Sequence, residues 1–451
     1  MGAVGWGKHA LLRALPVGRR ERGFGEAFRL GGTVGVRWQA GQTKQGAEVE
    51  GMGRQPVRLA IVGANRGSGI SRVLQSFEDR VRLTAVCDKN EELLKPWQER
   101  YPNVRTYGDF QRLLEDPSVD AVYIASPMHL HARQSIEALL AGKHVLSEVP
   151  AAQTLEDAWE LVETVERTGL HYMMAENYCF SRSSLAVKSM AEQGLFGEIT
   201  YMEGGYIHDC RHLVHAPDGS LTWRGELHRA FNGMNYPTHS LGPVSQWIGS
   251  SQPGGDELKS IAVFVSKARS LQRYFDERYG SRHPGARDGY WRQGDSAVAV
   301  VQTRKDVLIA LRVDWTSARP PNSTHFAVQG TEGAYVSGRY EGEGDLIWLH
   351  RRSPKAEDGQ PVTWEPLKRY QPELDHPLWK RWGHEASRFR HGGGDFLVFA
   401  EFFSAIAEGR TPGVDVYDAA AWSSVFALSM ESVAAGGKTI PFPDFRRRNR
   451  G

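Results

Sequence analysis

The first half of the chain alternates short apolar runs with segments of helical pattern. Two of those segments, 131–142 and 155–169, have the length and pattern of helices. Fully apolar strands linked by helices are covered on both faces, so the alternation predicts a doubly wound parallel sheet of the nucleotide-binding type. The predicted strands are LAIVG at 59–63, LTAVC at 83–87, AVYIAS at 121–126, HVLSE at 144–148 and HYMMAEN at 171–177.

Beyond about Phe180 the pattern changes to long strands separated by turns. It predicts a second, mostly antiparallel sheet, in which Lys305 and Asp306 form the turn of a hairpin. Two helices, at 394–409 and 416–435, close the chain. The predicted strands of this half lie at 198–209, 260–268, 296–304, 307–317 and 325–338.

These patterns divide the chain into two α/β domains with short flanking segments. A Rossmann domain is predicted over residues 54–178 and a second domain over 179–445. The extension over 1–53 is rich in glycine and has no periodicity, so we expect it to be poorly ordered. Residues 446–451 form a basic tail.

Composition excludes several classes of protein. Of 451 residues, 40% are hydrophobic and 24% are charged, which is typical of a globular protein with two or three cores. The 55 Lys and Arg nearly balance the 53 Asp and Glu, so no net field would attract nucleic acid or a membrane. We therefore expect neither as a partner.

The cysteines and the N-terminal segment indicate the compartment. Cys87, Cys179 and Cys210 are too few and too scattered for a disulfide framework. No apolar run is long enough to span a membrane, and Arg19 and Arg20 are not followed by the apolar stretch of an export signal. These features predict a cytoplasmic protein.

A glycine-rich turn follows the first predicted strand and leads into a predicted helix at 70–77. Its sequence, Gly63-Ala-Asn-Arg-Gly67-Ser-Gly69, lets the backbone approach a pyrophosphate at the helix N-terminus. It departs from the strict G-x-G-x-x-G pattern at its second and last glycines. The candidate cofactor residues of this turn are Gly63, Asn65, Arg66, Gly67 and Ser68.

Asp88 strengthens the dinucleotide interpretation. It ends the next strand, where a carboxylate accepts hydrogen bonds from a ribose 2′-hydroxyl and repels a 2′-phosphate. NAD is therefore favoured over NADP, although the neighbouring Lys89 acts in the opposite direction. The alternative is that Asp88 merely ends a strand.

Two further motifs lie where later strands end, and with them the chain resembles the Gfo/Idh/MocA oxidoreductase family from Val57 to Phe445. The motifs are Ser126-Pro127 with His129, and the run GKHVLSEVP that contains Glu148. The resemblance implies a Rossmann domain followed by an α/β domain with an open-faced sheet for substrate binding and oligomerisation. It also implies NAD contacts from Ser126, Pro127, His129, His131, Glu148 and Asn177.

Departures from the common family pattern narrow the resemblance. Val149 stands where many sugar dehydrogenases of the family have a catalytic lysine, and it can neither carry a proton nor polarise a hydroxyl. The YPTH-x-L-G-P run at 236–243, together with GKHVLSEVPAA, HGGGD at 391–395 and WSSVFALSMESV at 422–433, is similar to glycoside hydrolase family 109.

That second resemblance implies hydrolysis of α-N-acetylgalactosaminides without net oxidation. NAD⁺ takes hydride from the sugar C3, a base removes the acidified C2 proton, the C1 group is eliminated, water adds and hydride returns. Two alternatives stay open: a sugar or cyclitol dehydrogenase with net NAD(H) turnover, and a non-catalytic sensor of NAD and a ligand. The open-faced sheet leaves an apolar surface, so a dimer or tetramer is expected.

Tyr236 and His239 are the predicted catalytic pair. With Pro237 in the first helical position, His239 falls in the first turn, where the helix dipole disfavours imidazolium and leaves a base. Tyr236 would donate to a sugar hydroxyl or relay its proton. The alternative is a capped helix start in which both side chains only pack. Family 109 commonly has a tyrosine where Phe180 stands here.

The remaining polar clusters are candidates for substrate binding. His391 and Asp395 flank three glycines before a helix, and the alternative for them is a flexible loop with an Asp cap. The histidines between His208 and His215 match no standard zinc spacing, so we expect a pocket wall and no metal. The predicted substrate residues are Tyr178, His208, Trp223, Arg224, His391 and Asp395.

Overall fold

The first half of the chain forms a six-stranded parallel sheet. The computed structural model describes residues 55–446 apart from 317, 321, 341 and 356–361, so the predicted extension and all but Arg446 of the basic tail lie outside the described residues. The strand order is β3-β2-β1-β4-β5-β6, which is a doubly wound order, as the predicted fold class requires; β3 is an additional strand that the apolar runs did not predict. The strands are β1 (Val57–Val62), β2 (Val81–Cys87), β3 (Arg105–Tyr107), β4 (Ala121–Ile124), β5 (His144–Ser147) and β6 (Tyr172–Met174).

Short helices connect these strands. The turn after β1 differs from the prediction, because the backbone becomes helical at Ala64 and not at Ile70. Gly63 alone therefore makes the turn, and its left-handed φ of 101° is open to glycine at little strain. The helices are α1 (Ala64–Gly67), α2 (Ser71–Gln75), α3 (Lys95–Arg100), α4 (Phe110–Leu114), α5 (His131–Leu140) and α6 (Leu155–Thr168).

The second half forms a nine-stranded sheet. Its order is β14-β13-β12-β11-β7-β10-β9-β8-β15, and only the β7–β10 pair is parallel. The predicted hairpin is β9 and β10, and Asp306 in its turn has a positive φ of 64°. The strands are β7 (Ile199–Ile207), β8 (Leu258–Val265), β9 (Ala297–Thr303), β10 (Leu308–Asp314), β11 (Asn322–Gly330), β12 (Gly333–Val336), β13 (Leu346–Leu349), β14 (Glu365–Pro366) and β15 (Ile440–Pro441).

Helices cover one face of this second sheet and leave the other open. Alternate residues of β9 are buried and exposed, as expected for a sheet with one covered face. The helices of this half are α7 (Arg182–Glu192), α8 (Trp223–Ala230), α9 (Thr238–Ile248), α10 (Ser270–Tyr279), α11 (Gln371–Leu374), α12 (Pro377–Ala386), α13 (Gly394–Glu408) and α14 (Val416–Ala434). Among the described residues, no helix is long and apolar enough to cross a membrane.

Three contacts hold α9 and α14 in place. A Cβ atom on Gly204 of β7 would lie 1.9 Å from the Ser240 carbonyl oxygen, so glycine is required where α9 crosses the sheet. Ser423 and Ser432 of α14 accept hydrogen bonds from the backbone of Ala151 and Val263, each at 2.9 Å. Since Ala151 follows β5 of the first sheet and Val263 belongs to β8 of the second, α14 links the two halves.

Candidate active site

A cleft of about 550 Å³ opens where the strands of the first sheet end. Residues of both halves line it, because α8 and the segment before α9 face the carboxyl ends of β1, β2, β4 and β5. Ligands of open parallel sheets bind at these ends. The predicted site residues that line the cleft are Gly63, Asn65, Arg66, Asp88, Ser126, Pro127, His129, His131, Glu148, Trp223, Arg224 and Tyr236.

The glycine turn has the close packing that a dinucleotide site needs. A Cβ on Gly63 would lie 2.4 Å from the Ala125 carbonyl oxygen, so only glycine leaves the backbone open to a pyrophosphate. A Cβ on Gly67 would lie 2.3 Å from Cγ2 of Ile61, which places Gly67 between helix and strand. Gly67 and Ser68 do not line the cleft; the Ser68 hydroxyl instead donates to the Asn65 carbonyl at 2.8 Å.

Asp88 lies in the cleft wall at the end of β2. Its two carboxylate oxygens accept hydrogen bonds from the backbone amides of Ala64 and Asn90, each at 2.9 Å. Each oxygen keeps a further lone pair, which is what a ribose hydroxyl would use. Together with the glycine turn, this donor and acceptor set fits NAD: the turn would hold the pyrophosphate and Asp88 the ribose.

Glu148 anchors the floor of the cleft. Its Oε1 accepts from Arg66 Nε at 2.7 Å and from the Tyr123 hydroxyl at 2.5 Å. Although burial favours the neutral acid, Arg66 and Tyr123 together lower the pKa of Glu148 below its usual value. The next residue, Val149, is buried and also lines the cleft, so the chain presents an aliphatic group at this point.

His131 joins two loops beneath the cleft. Its ring nitrogens lie 2.9 Å from the Pro150 carbonyl oxygen and 2.8 Å from that of Ser126. The Ser126 hydroxyl donates to Gln134 Oε1 at 2.5 Å. Both side chains therefore support the loops that follow β4 and β5.

Tyr236 stands at the inner edge of the cleft with a strained backbone. Its φ of 64° is unusual for an aromatic residue, and such strain is found preferentially at functional sites. Burial and the nearby Glu148 carboxylate raise the pKa of Tyr236, which keeps its phenol protonated. The helix start differs from the prediction by one residue, since Pro237 is the N-cap and Thr238 the first helical residue.

His239 lies in the first turn of α9, as predicted, and contacts four side chains. Its ring centroid is 4.7 Å from those of Tyr178 and Tyr206, and 5.1 Å from that of Tyr236. Its Nδ1 lies 2.6 Å from Oε1 of Glu176, which is fully buried.

Sequence reasoning missed Glu176. A signal was present, because Glu176 follows β6 directly before Asn177 and polar residues at strand ends often face a ligand. Phe180, four residues later, is buried, and its carbonyl accepts from Trp379 Nε1 at 3.2 Å. The aromatic side chain that this segment places beside His239 is therefore Tyr178.

A second histidine–carboxylate pair, His391 and Asp395, lies near Tyr178 and outside the cleft lining; because it is more exposed than the first pair, we name it the rim pair. Nδ1 of His391 is 2.9 Å from both carboxylate oxygens of Asp395, which also accepts from Asn177 Nδ2 at 2.7 Å. The His391 ring lies 5.8 Å from that of Tyr178. Burial opposes ionisation of Asp395, but the hydrogen bond with His391 and the positive Arg66 lower its pKa.

Arg224 and Trp223 form the wall opposite the first sheet. The Arg224 guanidinium carbon lies 4.2 Å from the Trp223 ring centroid, and Arg224 Nε is buried without a hydrogen-bond partner. Burial lowers the pKa of this guanidinium, so a polar ligand group at this wall would satisfy an unmet donor.

His208 lies outside the cleft lining. Its ring centroid is 5.7 Å from that of Tyr206, and its Nδ1 is 3.3 Å from the Cys210 sulfur. Among the residues that the structure describes, no group of three His, Cys, Asp or Glu side chains could hold a metal ion.

Two family models match the chain. The model "Oxidoreductase family, NAD-binding Rossmann fold" matches residues 57–176. The model "Glycosyl hydrolase 109, C-terminal domain" matches residues 180–450. Both resemblances inferred from the motifs are thereby confirmed, as is NAD as the cofactor.

Curated relatives span nearly the whole chain. A glycosyl hydrolase family 109 protein of Solibacter usitatus (strain Ellin6076) is 33% identical, covering 92% of this chain and 94% of the relative. An alpha-N-acetylgalactosaminidase of Shewanella oneidensis (strain MR-1) is 32% identical, covering 87% of this chain and 85% of the relative.

Solved structures share the fold. An oxidoreductase domain protein from Kribbella flavida aligns with a TM-score of 0.69 at 20% identity, covering 87% of this chain and all of that one. Levoglucosan dehydrogenase in complex with NADH and levoglucosan aligns with a TM-score of 0.67 at 20% identity, covering 86% of this chain and all of that one. The predicted pair of sheets is confirmed.

Proposed function

The chain belongs to the glycosyl hydrolase 109 family, and we propose that it hydrolyses α-N-acetylgalactosaminides by transient oxidation of the sugar. One observation carries the proposal: the phenol ring of Tyr236 lines the NAD cleft, and the imidazole of His239 lies directly behind it, with ring centroids 5.1 Å apart. A base and a proton donor side by side suit proton abstraction next to a carbonyl. The α-N-acetylgalactosaminidase among the relatives supports the choice of sugar.

When bound, NAD supplies reversible hydride transfer at the sugar C3, and a ketone at C3 makes the C2 proton acidic. His239 then removes the C2 proton. Tyr236 stays protonated because its pKa is raised, so it donates a hydrogen bond to the C3 oxygen as negative charge develops there. The C1 substituent leaves as an alkoxide, water adds its hydroxyl at C1 and gives its remaining proton to that alkoxide, His239 returns a proton to C2, and the hydride returns to C3. The net change is hydrolysis.

We propose that the remaining predicted residues hold the sugar. Trp223 offers an aromatic face, and the buried Arg224 Nε offers an unmet donor to an acetamido or hydroxyl oxygen. On another side of His239, the sugar would contact Tyr178, which packs against the imidazole, and the neighbouring pair of His391 and Asp395. His208 is assigned to the wall behind Tyr206.

The test is turnover of 4-nitrophenyl α-N-acetylgalactosaminide by the NAD-loaded enzyme in D₂O. We expect release of nitrophenol without accumulation of NADH, and deuterium at C2 of the sugar product, because the proton held by His239 exchanges with solvent before a proton returns to C2. Retention of the C2 proton, together with no primary isotope effect on a substrate deuterated at C2, would exclude the elimination route.

The same assay separates the two alternatives. A sugar dehydrogenase would accumulate one NADH per free sugar oxidised. The buried Val149 speaks against a lysine-assisted reaction of that kind. A sensor would bind NAD and sugar, measured by calorimetry, and turn over neither substrate.

We also propose that two copies pair through the open face of the nine-stranded sheet. Phe264 of β8 is 63% exposed, and Val298, Val300 and Leu308 on neighbouring strands are exposed as well. An apolar patch of this kind is typical of a protein interface. Light scattering should find a dimer or tetramer, and the Val298→Lys, Val300→Lys double variant should be monomeric with native NAD affinity. A monomeric native protein would refute the interface.

We also propose that the protein is located in the cytoplasm. All three cysteines of the chain are free and buried, which suits a reducing compartment. Fractionation of the producing cells with an antibody against the protein should place it with cytoplasmic markers, and recovery in the medium or periplasm would contradict this.

A further inference from the structure

We propose that Glu176 is a positioning residue that holds His239 in the tautomer with its proton on Nδ1, leaving Nε2 as the base, and that its charge stabilises the imidazolium formed in the reaction. The inference rests on the proposed role of His239 in proton abstraction. Neither the sequence nor the family resemblance assigned a role to Glu176.

The contact itself defines the tautomer. Oε1 of Glu176 lies 2.6 Å from Nδ1 of His239, and a carboxylate has only acceptors to offer. Nδ1 must therefore carry a proton, and in the neutral ring the lone pair is on Nε2. The same Oε1 accepts from the Tyr178 amide at 3.3 Å, which helps to fix the carboxylate.

Gly242 shows that α9 is built around this contact. It lies three residues after His239, on the same helical face. A Cβ at Gly242 would lie 3.0 Å from Cγ of Glu176 and 3.1 Å from the Cys179 sulfur. The glycine therefore makes room for the carboxylate arm beneath the imidazole.

The buried Glu176 carboxylate can compensate a positive charge on the His239 ring. The groups that face the His239 ring are the Glu176 carboxylate and the phenols of Tyr178, Tyr206 and Tyr236, with His208 behind Tyr206. None of the phenols or His208 supplies a negative charge while protonated or neutral. A buried imidazolium needs a counter-charge, so Glu176 is the group that compensates it.

Stability alone does not account for a glutamate at this position. Its second oxygen, Oε2, is buried and has no hydrogen-bond partner. An unsatisfied buried carboxylate oxygen destabilises the folded state, and an apolar side chain of similar volume would avoid that penalty. The carboxylate is explained by what its other oxygen does for His239.

The proposed step moves one proton between C2 of the sugar and His239. The C2–H bond breaks, its electron pair stays on the sugar as the enolate of the C3 ketone, and the proton goes to Nε2 of His239. Nδ1 keeps its own proton and its hydrogen bond with Glu176 throughout. After exchange with solvent, a proton returns from Nε2 to C2 when water adds, so the pair is unchanged after each turnover.

The first test is nitrogen-15 NMR of the native protein with labelled histidine, recorded where the His239 ring is neutral and assigned with a His239→Gln variant. We expect a protonated Nδ1 and an unprotonated Nε2. The opposite tautomer would overturn the proposal. This measurement needs no activity, so it decides the tautomer even if the glycosidase assay fails and the proposed function is wrong.

The second test separates the hydrogen bond from the charge. Glu176→Gln keeps an acceptor at Oε1 and removes the charge, and we expect kcat to fall about 10- to 100-fold with the tautomer retained. Glu176→Met removes both, and we expect kcat to fall about 1,000-fold with a mixed tautomer. KM and the NAD dissociation constant should stay within about threefold in both variants.

A matched control is Glu365→Gln. Glu365 is also buried and hydrogen-bonded, but its partners are Arg369 and Tyr370, remote from the cleft residues. We expect its kcat to be native. Native kcat in the Glu176 variants would overturn the proposal. So would equal losses in both accompanied by weaker NAD binding and a lower Tm, because those indicate a structural role.

Discussion

Tyr178 lies between two histidine–carboxylate pairs that have the same chemistry and different surroundings. In the inner pair, the side chains of His239 and Glu176 are 9% and 0% exposed; in the rim pair, those of His391 and Asp395 are 35% and 20% exposed. Coulombic coupling is strong in a dry site and screened by solvent at a rim. The inner pair is therefore suited to carry a proton and the rim pair to bind a ligand.

One short segment connects the two pairs. Glu176 contacts His239, the next residue Asn177 donates to Asp395, and the Tyr178 ring contacts both imidazoles. A shift of this segment would alter both pairs together. A histidine–carboxylate pair does not by itself define a role, since burial decides which of the two pairs can hold a transient charge.

The largest expected difference is between alanine variants of the two histidines. His239→Ala should lower kcat by about 1,000-fold, because general base catalysis contributes about 100- to 10,000-fold. His391→Ala should raise KM by about three- to tenfold and leave kcat within about threefold. Steady-state kinetics on the nitrophenyl glycoside measures both. Equal losses of kcat in the two variants would erase the distinction between the pairs.

Much of this arrangement follows from local sequence. Apolar runs mark the strands of the first sheet because those strands are buried on both faces, and Gly63 and Asp88 mark the cleft because a strand end and a tight turn restrict residue choice locally. The hairpin over β9 and β10 was predictable because its tight turn, at Lys305 and Asp306, is likewise a local feature of the sequence. β3, β13, β14 and β15 were missed because they have two to four residues each, too few to show alternation.

The inner pair needed the structure. Glu176 and His239 are 63 positions apart, and a single glutamate before Asn177 has no spacing that distinguishes it. Their contact depends on how α9 lies against the segment after β6, which is a tertiary property. The start of α9 also differs from the prediction by one residue, at Pro237. Tyr236, directly before it, adopts a left-handed backbone conformation, which the proline alone does not specify.

A fall in kcat, smaller than that of His239→Ala, should distinguish Tyr236 from the residues of the rim pair. Tyr236→Phe removes only the phenol oxygen, so the hydrogen bond to the developing C3 oxyanion is lost and kcat should fall about 10- to 100-fold. Because the backbone strain at this position is the same for Phe, the Tm should be unchanged. Tyr274→Phe, on α10 and not in the cleft lining, is the matched control. A native rate in Tyr236→Phe would remove Tyr236 from the mechanism.

The smallest effect concerns the acid stability of the rim pair. The pKa of Asp395 is lowered in the folded protein, so its contribution to stability is present above the unfolded pKa of about 3.9 and is lost as pH falls below it. Asp395→Asn should lower the free energy of unfolding by about 1 kcal/mol or less at pH 6. Urea unfolding at pH 6 and pH 3 should show the gap closing at the lower pH; a gap that widens would contradict the assigned shift.

The contact of Gly204 with Ser240 limits how the enzyme can admit a glycoside. Sliding of α9 along β7 would drive the Ser240 carbonyl into Met202 or Tyr206, whose side chains lie on the same face of β7 as Gly204, so α9 and β7 must move together. Any motion that widens the entrance of the cleft would then move the His239 imidazole together with the second sheet. Engineering of substrate range is accordingly easier at Trp223, which begins α8, and at His391 than in α9, which bears the proposed base His239.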